Sequence, residues 1–402
     1  MTRTLFENGA TLEQGTRWVL VEDGRIADVG DESPPFAEEG VDLGGDLLLP
    51  GLINSHTHLY SALAGRLDWP KRSSQFLKIL EQVWWRLDRA LDENSIRASA
   101  RLGFAAAVMH GCTTVIDHHS SPDFAEGSLD ILAEEAERCG LKLAMAFEVT
   151  DRNGAKLFNE GVAENQRAIY RYGSHEIVRA LFGLHASFTL SDESLAECAA
   201  ATDMPFHIHL AEAESDLADA RERGYASVVD RLDKQGILRE GSLFAHGVHL
   251  APGDADLLAE RGCFLAHCPQ SNAHNRVGRA DVASQRAAGI AVGLGTDGFL
   301  SGLLTEARFA AADGAGAARL LYNGGAAIAS SIFERSVGRL EPGADADFIT
   351  LDASSDSPRV NRTVSRGEVL FDGQNLRGVD LAELEVLATL EAEKLGNRLL
   401  SL

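Results

Sequence analysis

Apolar runs and amphipathic stretches alternate through the middle of the chain. Eight runs rich in Val, Ile, Leu and Ala have the length of buried strands, and apolar residues recur every three or four positions in segments such as DENSIRASARLGFAAAVMHG, as they do in helices. The eight strand candidates are 48–56, 112–118, 142–149, 177–185, 204–210, 242–248, 263–268 and 290–296. This alternation over about 250 residues predicts an α/β fold of the TIM (β/α)8 barrel type.

The two ends of the chain have a different pattern, of short strands separated by turns. In WVLVEDGRIADVG, the Asp23-Gly24 pair between alternating apolar residues is a hairpin signature. The same pattern returns after Gly338 in GADADFITLDAS and TVSRGEVLFDGQ. The chain then ends in a leucine-rich amphipathic helix, which we expect to pack on the body or on another subunit. We therefore predict one small β-sandwich from residues 1–49 and 338–402, and a barrel from residues 50–337.

An open doubly wound sheet is the main rival architecture. A GxGxxG fingerprint after the first strand would favour it, and the sequence has none. Composition narrows the function, because 37 basic against 60 acidic residues, net −23, disfavour nucleic acid and anionic lipid as partners. No apolar run approaches the roughly 20 residues of a membrane span, and the N-terminus has no signal-peptide core. The five scattered cysteines form no CxxC pair, so we expect a reducing, cytoplasmic location.

Polar side chains recur where the strand candidates end, which is where barrel enzymes hold their active sites. In NSHTHL, His56 and His58 are two residues apart, so on a strand both imidazoles could face one point. Later strand ends carry Asp117, His118, His119, His185, His207, His209, Glu212, His246, His249, His267 and Asp297. His110 and His175 read as structural or exposed, and His274 could be either.

A single histidine of this set is most simply a hydrogen-bonded core or loop residue. The positions carry the argument together, because His-x-His on the first strand, His-x-x-Glu on the fifth, His on the sixth and Asp on the eighth rarely coincide by chance. Three imidazoles and a carboxylate predict a site for one divalent metal ion, zinc first, with iron or manganese as alternatives. His207 and His209 share one face of their strand, so the motif alone does not choose between them.

The order of these motifs resembles a known family. LLPGLINSHTHL, HIHLAE, AHGVHL, AHCPQSN and GLGTDG have the order and spacing typical of the mononuclear branch of the amidohydrolase superfamily, which contains aminohydrolases and chlorohydrolases of heterocycles. VWWRLDRALDENSI, TTVIDHHSSP and FEVTDRNG look like the SsnA-type aminohydrolases in particular. The resemblance covers nearly the whole chain. Segments near 300–337 and 353–364 are shorter than in the family pattern. We therefore expect differences from the family in the closure of the last barrel helix and in the subunit contacts, and the β-module to lack a strand or two.

The resemblance implies a role for each matching residue. It implies one metal ion on His56, His58, His209 and Asp297, and so prefers His209 to His207 as the ligand. Binuclear members use a carboxylated lysine at the end of the fourth strand, where this chain has His185. The resemblance also implies that Glu212 protonates a ring nitrogen, that His246 polarises the attacking oxygen and that Asp297 takes a proton from the water. The candidates for substrate contact or support are His118, His119, His185 and Asn272.

These roles predict a hydrolytic deaminase that attacks an amino-substituted purine, pterin or similar ring with metal-bound hydroxide. One alternative keeps the metal site but displaces chloride or opens a cyclic amide. Another is a catalytically silent barrel kept as a scaffold, against which the complete ligand set with Glu212 argues. We expect a small heterocyclic substrate and no nucleic-acid or membrane partner, and a homodimer is the family expectation.

Overall fold

Three β-sheets and the helices around them make up the described part of the chain. The structure is a computed structural model and describes residues 3–13, 15–69, 73, 75–312, 316–354 and 358–402. Its strands are β1 (Arg3–Ala10), β2 (Thr16–Glu22), β3 (Arg25–Gly30), β4 (Glu39–Asp42), β5 (Leu47–Pro50), β6 (Leu52–Thr57), β7 (Cys112–His119), β8 (Lys142–Phe147), β9 (Val178–Ala180), β10 (Phe182–Ala186), β11 (Phe206–Leu210), β12 (Leu243–His246), β13 (Phe264–His267), β14 (Val292–Leu294), β15 (Phe348–Asp352), β16 (Arg359–Ser365) and β17 (Glu368–Phe371). Its α-helices are α1 (Phe76–Ile79), α2 (Trp85–Ala90), α3 (Glu93–Met109), α4 (Ser128–Cys139), α5 (Ala155–Tyr172), α6 (Asp192–Ala201), α7 (Glu214–Glu222), α8 (Val228–Lys234), α9 (Asp254–Glu260), α10 (Pro269–Asn275), α11 (Val282–Ala287), α12 (Leu303–Ala312), α13 (Gly325–Phe333) and α14 (Leu381–Leu399).

Both chain ends contribute to one sheet, which we call the terminal sheet. Its order is β17-β16-β15-β5-β1-β2-β3, with β4 beside β1, and the two ends meet where β5 pairs antiparallel with β15. The hairpin predicted at Asp23 and Gly24 joins β2 to β3, and both turn residues have positive φ. The pairing of the two ends is therefore confirmed. The sandwich is seen only in part, because hydrogen bonds join these strands into a single sheet.

The parallel strands of the middle of the chain form two arcs. One arc has the order β6-β7-β8-β9 and the other the order β10-β11-β12-β13-β14. Isolated parallel bridges join the arcs on both sides, between Thr57 and Asp297 and between Val149 and Leu184. Among the described residues, the ladders themselves stop between β9 and β10 and between β14 and β6. The pairings show a mixed α/β arrangement of parallel strands and do not by themselves confirm a continuous barrel.

The first strand candidate, residues 48–56, is wrong as a single strand. The chain leaves the terminal sheet after β5 and enters the first arc with β6, and Gly51 lies between them. Its backbone N–H donates to Asp347 O, and a Cβ there would lie 2.3 Å from Thr113 Oγ1. Only glycine fits so close an approach, so the crossing point between the two sheets is set at this residue. The candidate at 177–185 is likewise divided into β9 and β10 at Leu181.

Helix signals in the sequence are found again in the structure. The helix predicted from DENSIRASARLGFAAAVMHG is α3, and it begins at a capping box in which Asp92 and Ser95 each accept the other's backbone N–H. The predicted last helix is α14, which packs on the body, where Arg398 donates to Ala90 O at 2.6 Å. Helices α12 and α13 follow β14 despite the shortened sequence there. Among the described residues, no helix is long and apolar enough to cross a membrane.

Candidate metal centre and active site

The proposed ligands converge at the carboxyl ends of the parallel strands. His56 lies next to the last residue of β6, His209 near the end of β11, and Asp297 just after β14. Possible ligand atoms lie within 4.8 Å of one another in two overlapping groups, which are His56, His209, His246 and Asp297, and His56, His58, His118 and His209. The residues that the sequence places at the strand ends therefore lie close together in the structure.

His58 and His209 turn nitrogen lone pairs towards each other. Nδ1 of His58 donates to His118 O and Nδ1 of His209 to His185 O, both at 2.7 Å, because a carbonyl oxygen can only accept. Neutral rings protonated there carry a lone pair on Nε2. Yet the two Nε2 atoms are 3.1 Å apart, and Nε2 of His58 is 3.0 Å from Asp297 Oδ1. Electrostatics therefore requires a positive charge among these three atoms.

A metal ion fits that requirement. Two imidazole nitrogens at about 2.0–2.1 Å from one tetrahedral zinc ion are about 3.3 Å from each other, close to the spacing found here. His56 supplies a further donor, because its buried Nε2 has no hydrogen-bond partner and lies 3.5 Å from Asp297 Oδ1. Its Nδ1 contacts His207 Nε2 at 3.0 Å, so His207 lies behind His56. The donors present thus fit one divalent ion, without specifying which.

Burial and charge have opposite effects on the pKa values of His56, in β6, and His58, just after it. Burial lowers the pKa of His56 to about 3, so this ring stays neutral and able to ligate. Burial also acts to lower the pKa of His58, but the hydrogen bond and charge of Asp297 and the charge of Glu148 outweigh it and raise that pKa to about 10. The cluster therefore attracts one positive charge beside Asp297.

Asp297 is held by backbone and side-chain contacts at once. Its backbone N–H donates to His56 O and its carbonyl accepts from the His58 N–H, both at 3.1 Å. Oδ2 accepts a hydrogen bond from Ser271 Oγ. Burial acts to raise the pKa of Asp297, but the contacts with the His56 and His58 imidazoles and the charge of His58 keep that pKa well below its usual value. Its φ is +53°, a strained conformation for a residue with a Cβ, and such strain is often found at functional sites.

Glu212 reaches the cavity because the chain turns sharply after β11. Ala211 has a φ of +45°, which ends the strand one residue before Glu212. The Glu212 backbone N–H donates to Asp216 Oδ2 at 2.9 Å, and its Oε1 accepts from Asn275 Nδ2 at 3.3 Å. Oε2 lies 3.7 Å from His246 Nε2. Burial raises the pKa of Glu212, so this carboxyl holds a proton at higher pH than an exposed one.

The residues predicted to contact substrate occupy different places. His185 lines the cavity. Asn272 lies behind His246 instead, where its Oδ1 accepts from Nδ1 at 2.9 Å. His118 stacks on His207 with ring centroids 4.4 Å apart, and the His119 ring contacts Ser121 Oγ at 2.9 Å. Of these four predicted residues, the structure therefore brings only His185 to the cavity wall.

The other unassigned histidines are easily placed. His110 bonds to the Ala106 carbonyl at the surface, and His175 pairs with Glu137 at 3.0 Å. His274 lines the cavity beside Phe299.

Glu148 is a buried carboxylate at the site that the sequence reading did not single out. It follows β8, lines the cavity and places Oε1 3.4 Å from His58 Nδ1 and 3.3 Å from His118 Nδ1. Its Oε2 lies 3.9 Å from His185 Nε2. Burial raises the pKa of Glu148 to about 8, although the charge of His58 acts the other way. The sequence signal for Glu148 is its place directly after an apolar strand, because the other site residues were identified by the same position at a strand end.

Comparisons with known proteins give this cluster a family. The model described as Amidohydrolase family matches residues 47–370, which include the whole proposed ligand set. The chain belongs to the amidohydrolase family. The predicted family and the predicted class, a hydrolase acting on C–N bonds, are therefore confirmed, while the SsnA-type assignment stays a prediction.

Individual members are similar over almost their full length. A protein of Halobacterium salinarum named 5-methylthioadenosine/S-adenosylhomocysteine deaminase is 29% identical and covers 96% of this chain, which in turn covers 95% of it. An adenosine deaminase structure from Xanthomonas campestris with bound zinc has a TM-score of 0.85 at 22% identity, over 98% of both chains. A zinc complex of atrazine chlorohydrolase from Arthrobacter aurescens has a TM-score of 0.82 at 23% identity, over 97% of this chain and 100% of that one. At these identities the two structures show a shared fold.

Proposed function

We propose that this amidohydrolase is a metal-dependent deaminase of adenosine-like heterocycles, which replaces an exocyclic amino group by oxygen and releases ammonia. One observation carries the proposal: the nitrogens of His58 and His209 converge with Asp297 beside Glu212, in a cavity of about 450 Å³. The ring class is suggested by the Halobacterium relative, whose name gives two adenosine derivatives as substrates.

We propose zinc as the ion, held by His56, His58, His209 and Asp297. Three imidazoles and one carboxylate suit zinc, and iron or manganese accept the same donors. When bound, such an ion activates a water molecule as a nucleophile near neutral pH. The side chains around it supply the proton transfers.

Glu212 hands a proton to the ring nitrogen next to the amino-bearing carbon. Its Oε1 accepts from Asn275, which leaves Oε2 to carry the proton. Protonation of the ring draws electrons from the adjacent carbon, so water adds there more readily.

Asp297 and His246 act on the attacking water. Asp297 takes one proton from it at Oδ1, while Ser271 holds Oδ2, and passes that proton to the amino group. Ammonia leaves as the hydroxyl proton returns to Glu212, which leaves the oxo heterocycle and restores both carboxyl groups. His246 donates from Nδ1 to Asn272 Oδ1, so its Nε2 stays towards Glu212 and can polarise the attacking oxygen.

The proposal includes the architecture that the sequence predicts. We propose that the two arcs form one closed (β/α)8 barrel, supported by the bridges from Thr57 to Asp297 and from Val149 to Leu184. Limits at 49/50 and 337/338 would separate it from the β-sandwich. A homodimer and a cytoplasmic location stay predictions.

Ammonia release from a panel of amino-substituted heterocycles tests the reaction. Glu212→Gln should keep the metal and lower turnover by about 10²-fold or more, the scale of lost acid–base catalysis, whereas His209→Ala should lose the metal. Glu214→Gln is the matched control, because Glu214 is exposed two residues away. Chloride release or ring opening without ammonia would favour the alternative hydrolases. A protein that purifies without bound metal and converts no compound of the panel would favour the scaffold. Near-normal turnover in Glu212→Gln would refute the proposed role of Glu212.

A further inference from the structure

The cavity continues beyond the donor atoms into an apolar region. Half-buried Trp69, Phe76, Trp84, Phe188 and Phe299 line it, and we call these five residues the aromatic wall. The cavity volume of about 450 Å³ lies in the range of pockets that take a drug-sized ligand. There is room for a ring at the donors together with a substituent against the wall.

The charged residues of the cavity are all of one sign. Among the described residues that line it there are five acidic side chains and no lysine or arginine; the acids are Asp88, Glu148, Glu212, Asp216 and Asp297. Arg152 lies next to this lining but is already occupied, since it is 3.2 Å from Asp88 Oδ2 and its guanidinium lies 4.5 Å from the Trp85 ring centroid. Lys71 and Arg72 fall outside the described residues.

These two features have opposite effects on neutral and anionic substituents. An alkyl or thioether group gains contact with aromatic rings as it leaves water, and sulfur packs well at a ring edge. A phosphate or carboxylate would lose its hydration without meeting a cation from the described wall. The all-acidic lining offers it no attraction, and any lining carboxylate that is ionised, such as Asp216, repels it further.

We infer that the substituent accepted by this protein is uncharged and apolar, a thioether, alkyl or aryl group, and that the same ring carrying a phosphate or carboxylate is discriminated against. The inference rests on the proposed function, because it names the substrates of that same site. It also separates the two compounds in the name of the Halobacterium relative, since only S-adenosylhomocysteine has a carboxylate in its side chain.

A matched pair of adenosines tests the inference. The 5′-propylthio and 5′-(2-carboxyethyl)thio compounds have similar length and differ in the terminal charge. We expect kcat/KM for ammonia release to favour the propylthio compound by about 30-fold or more, mostly through KM, because the substituent lies away from the reacting carbon. Equal values, or a preference for the carboxylate, would overturn the inference while leaving the deamination itself established.

A charge introduced at the wall tests the cause of the preference. Leu300 lines the cavity and is 39% exposed, so a lysine can be accommodated there. Leu300→Lys should raise kcat/KM for the carboxyethyl compound about tenfold, and so reduce the ratio of kcat/KM between the propylthio and carboxyethyl compounds. Leu77→Lys is the control, because Leu77 is 41% exposed on the neighbouring α1 but does not line the cavity. An unchanged ratio in Leu300→Lys, or an equal change in Leu77→Lys, would overturn the electrostatic argument.

Failure of the proposed function gives a different result. If neither compound releases ammonia, the deaminase proposal is wrong, and calorimetric binding of the same pair then decides the inference. Tighter binding of the propylthio compound supports an apolar subsite, and equal binding or none overturns it.

Discussion

Lys142 gives a prediction whose size follows from the structure. It begins β8, at the strand end away from the cavity, and its side chain is fully buried against the terminal sheet. Nζ lies 2.6 and 2.8 Å from the two carboxylate oxygens of Asp347 and 3.2 Å from Asp345 Oδ2. Lys142→Met keeps an apolar stem but removes the ammonium group, so a buried carboxylate loses its cation. We expect this single change to destabilise the fold strongly.

The partners that the two aspartates keep determine how much free energy of unfolding Lys142→Met costs. Asp345 keeps a cation, because Arg335 Nε is 3.0 Å from both its oxygens. From the described part of the chain, Asp347 keeps only neutral donors, Ser365 Oγ at 3.3 Å and the backbone N–H of Arg366 at 3.0 Å. Breaking a buried ion pair from one side costs about 3–5 kcal/mol, and the two remaining donors place this case near 3 kcal/mol. Adding Asp347→Asn removes the unpaired charge and should recover roughly 1–3 kcal/mol.

Urea unfolding followed by far-ultraviolet circular dichroism measures these changes in the free energy of unfolding. Lys234→Met is the control, since Lys234 Nζ is also 2.8 Å from a carboxylate, that of Asp230, but its side chain is 57% exposed. That surface pair should contribute less than about 0.5 kcal/mol. The reasoning is refuted if Lys142→Met costs no more than Lys234→Met, or if Asp347→Asn adds its full cost to that of Lys142→Met.

Three further predictions concern pH and metal binding. Burial in α12, together with the charge of Asp297, raises the pKa of Glu306 from 4.5 to about 7, although hydrogen bonds from Gln270 and Ser301 act to lower it. The contribution of Glu306 to the free energy of unfolding is therefore fully present below pH 4.5 and is lost as the pH rises through about 7. Glu306→Gln should therefore raise the thermal midpoint near pH 8.5 and hardly change it near pH 4; an equal effect at both would contradict this. Glu148→Gln should weaken metal binding about 10–100-fold in competition with a chelator, because the carboxylate contacts the His58 ring from behind, and unchanged affinity would limit Glu148 to other roles. Removal of the metal by a chelator should abolish ammonia release and lower the thermal midpoint, and one equivalent of zinc should restore both; full activity in the metal-free protein would refute metal dependence.

The strand pattern was readable because buried parallel strands are nearly uniform apolar runs. Such runs do not show where one strand ends and the next strand begins in another sheet. Residues 47 to 53 are apolar without interruption, and the break at Gly51 depends on Thr113, which lies about sixty residues further along the chain. The division at Leu181 likewise comes from the neighbouring strand, since its N–H donates to Met145 O. Tertiary contacts decide both breaks, so local sequence does not reveal them.

The candidate site was predictable for the same geometric reason, because parallel strands bring their carboxyl ends to one place. Alternation along β11 could not separate His207 from His209; the structure places the first behind His56 and the second opposite His58. Glu148 was missed because a single glutamate after a strand resembles an ordinary loop residue. Lys142 was missed for a related reason: a lysine at the start of a strand is usually solvated, and its buried partners lie about 200 residues away in sequence.

The contact between Thr57 and Asp297 indicates when the site can form during folding. Thr57 Oγ1 donates to Asp297 O across 240 residues, and the proposed ligands lie on both sides of this seam between the first and last parallel strands. A chain still emerging from the ribosome has His56 and His58 long before Asp297, so it cannot offer the complete donor set until β14 has docked. Binding of the proposed ion would then be a late event in folding, and the ion would stabilise the fully folded chain relative to every partly folded form.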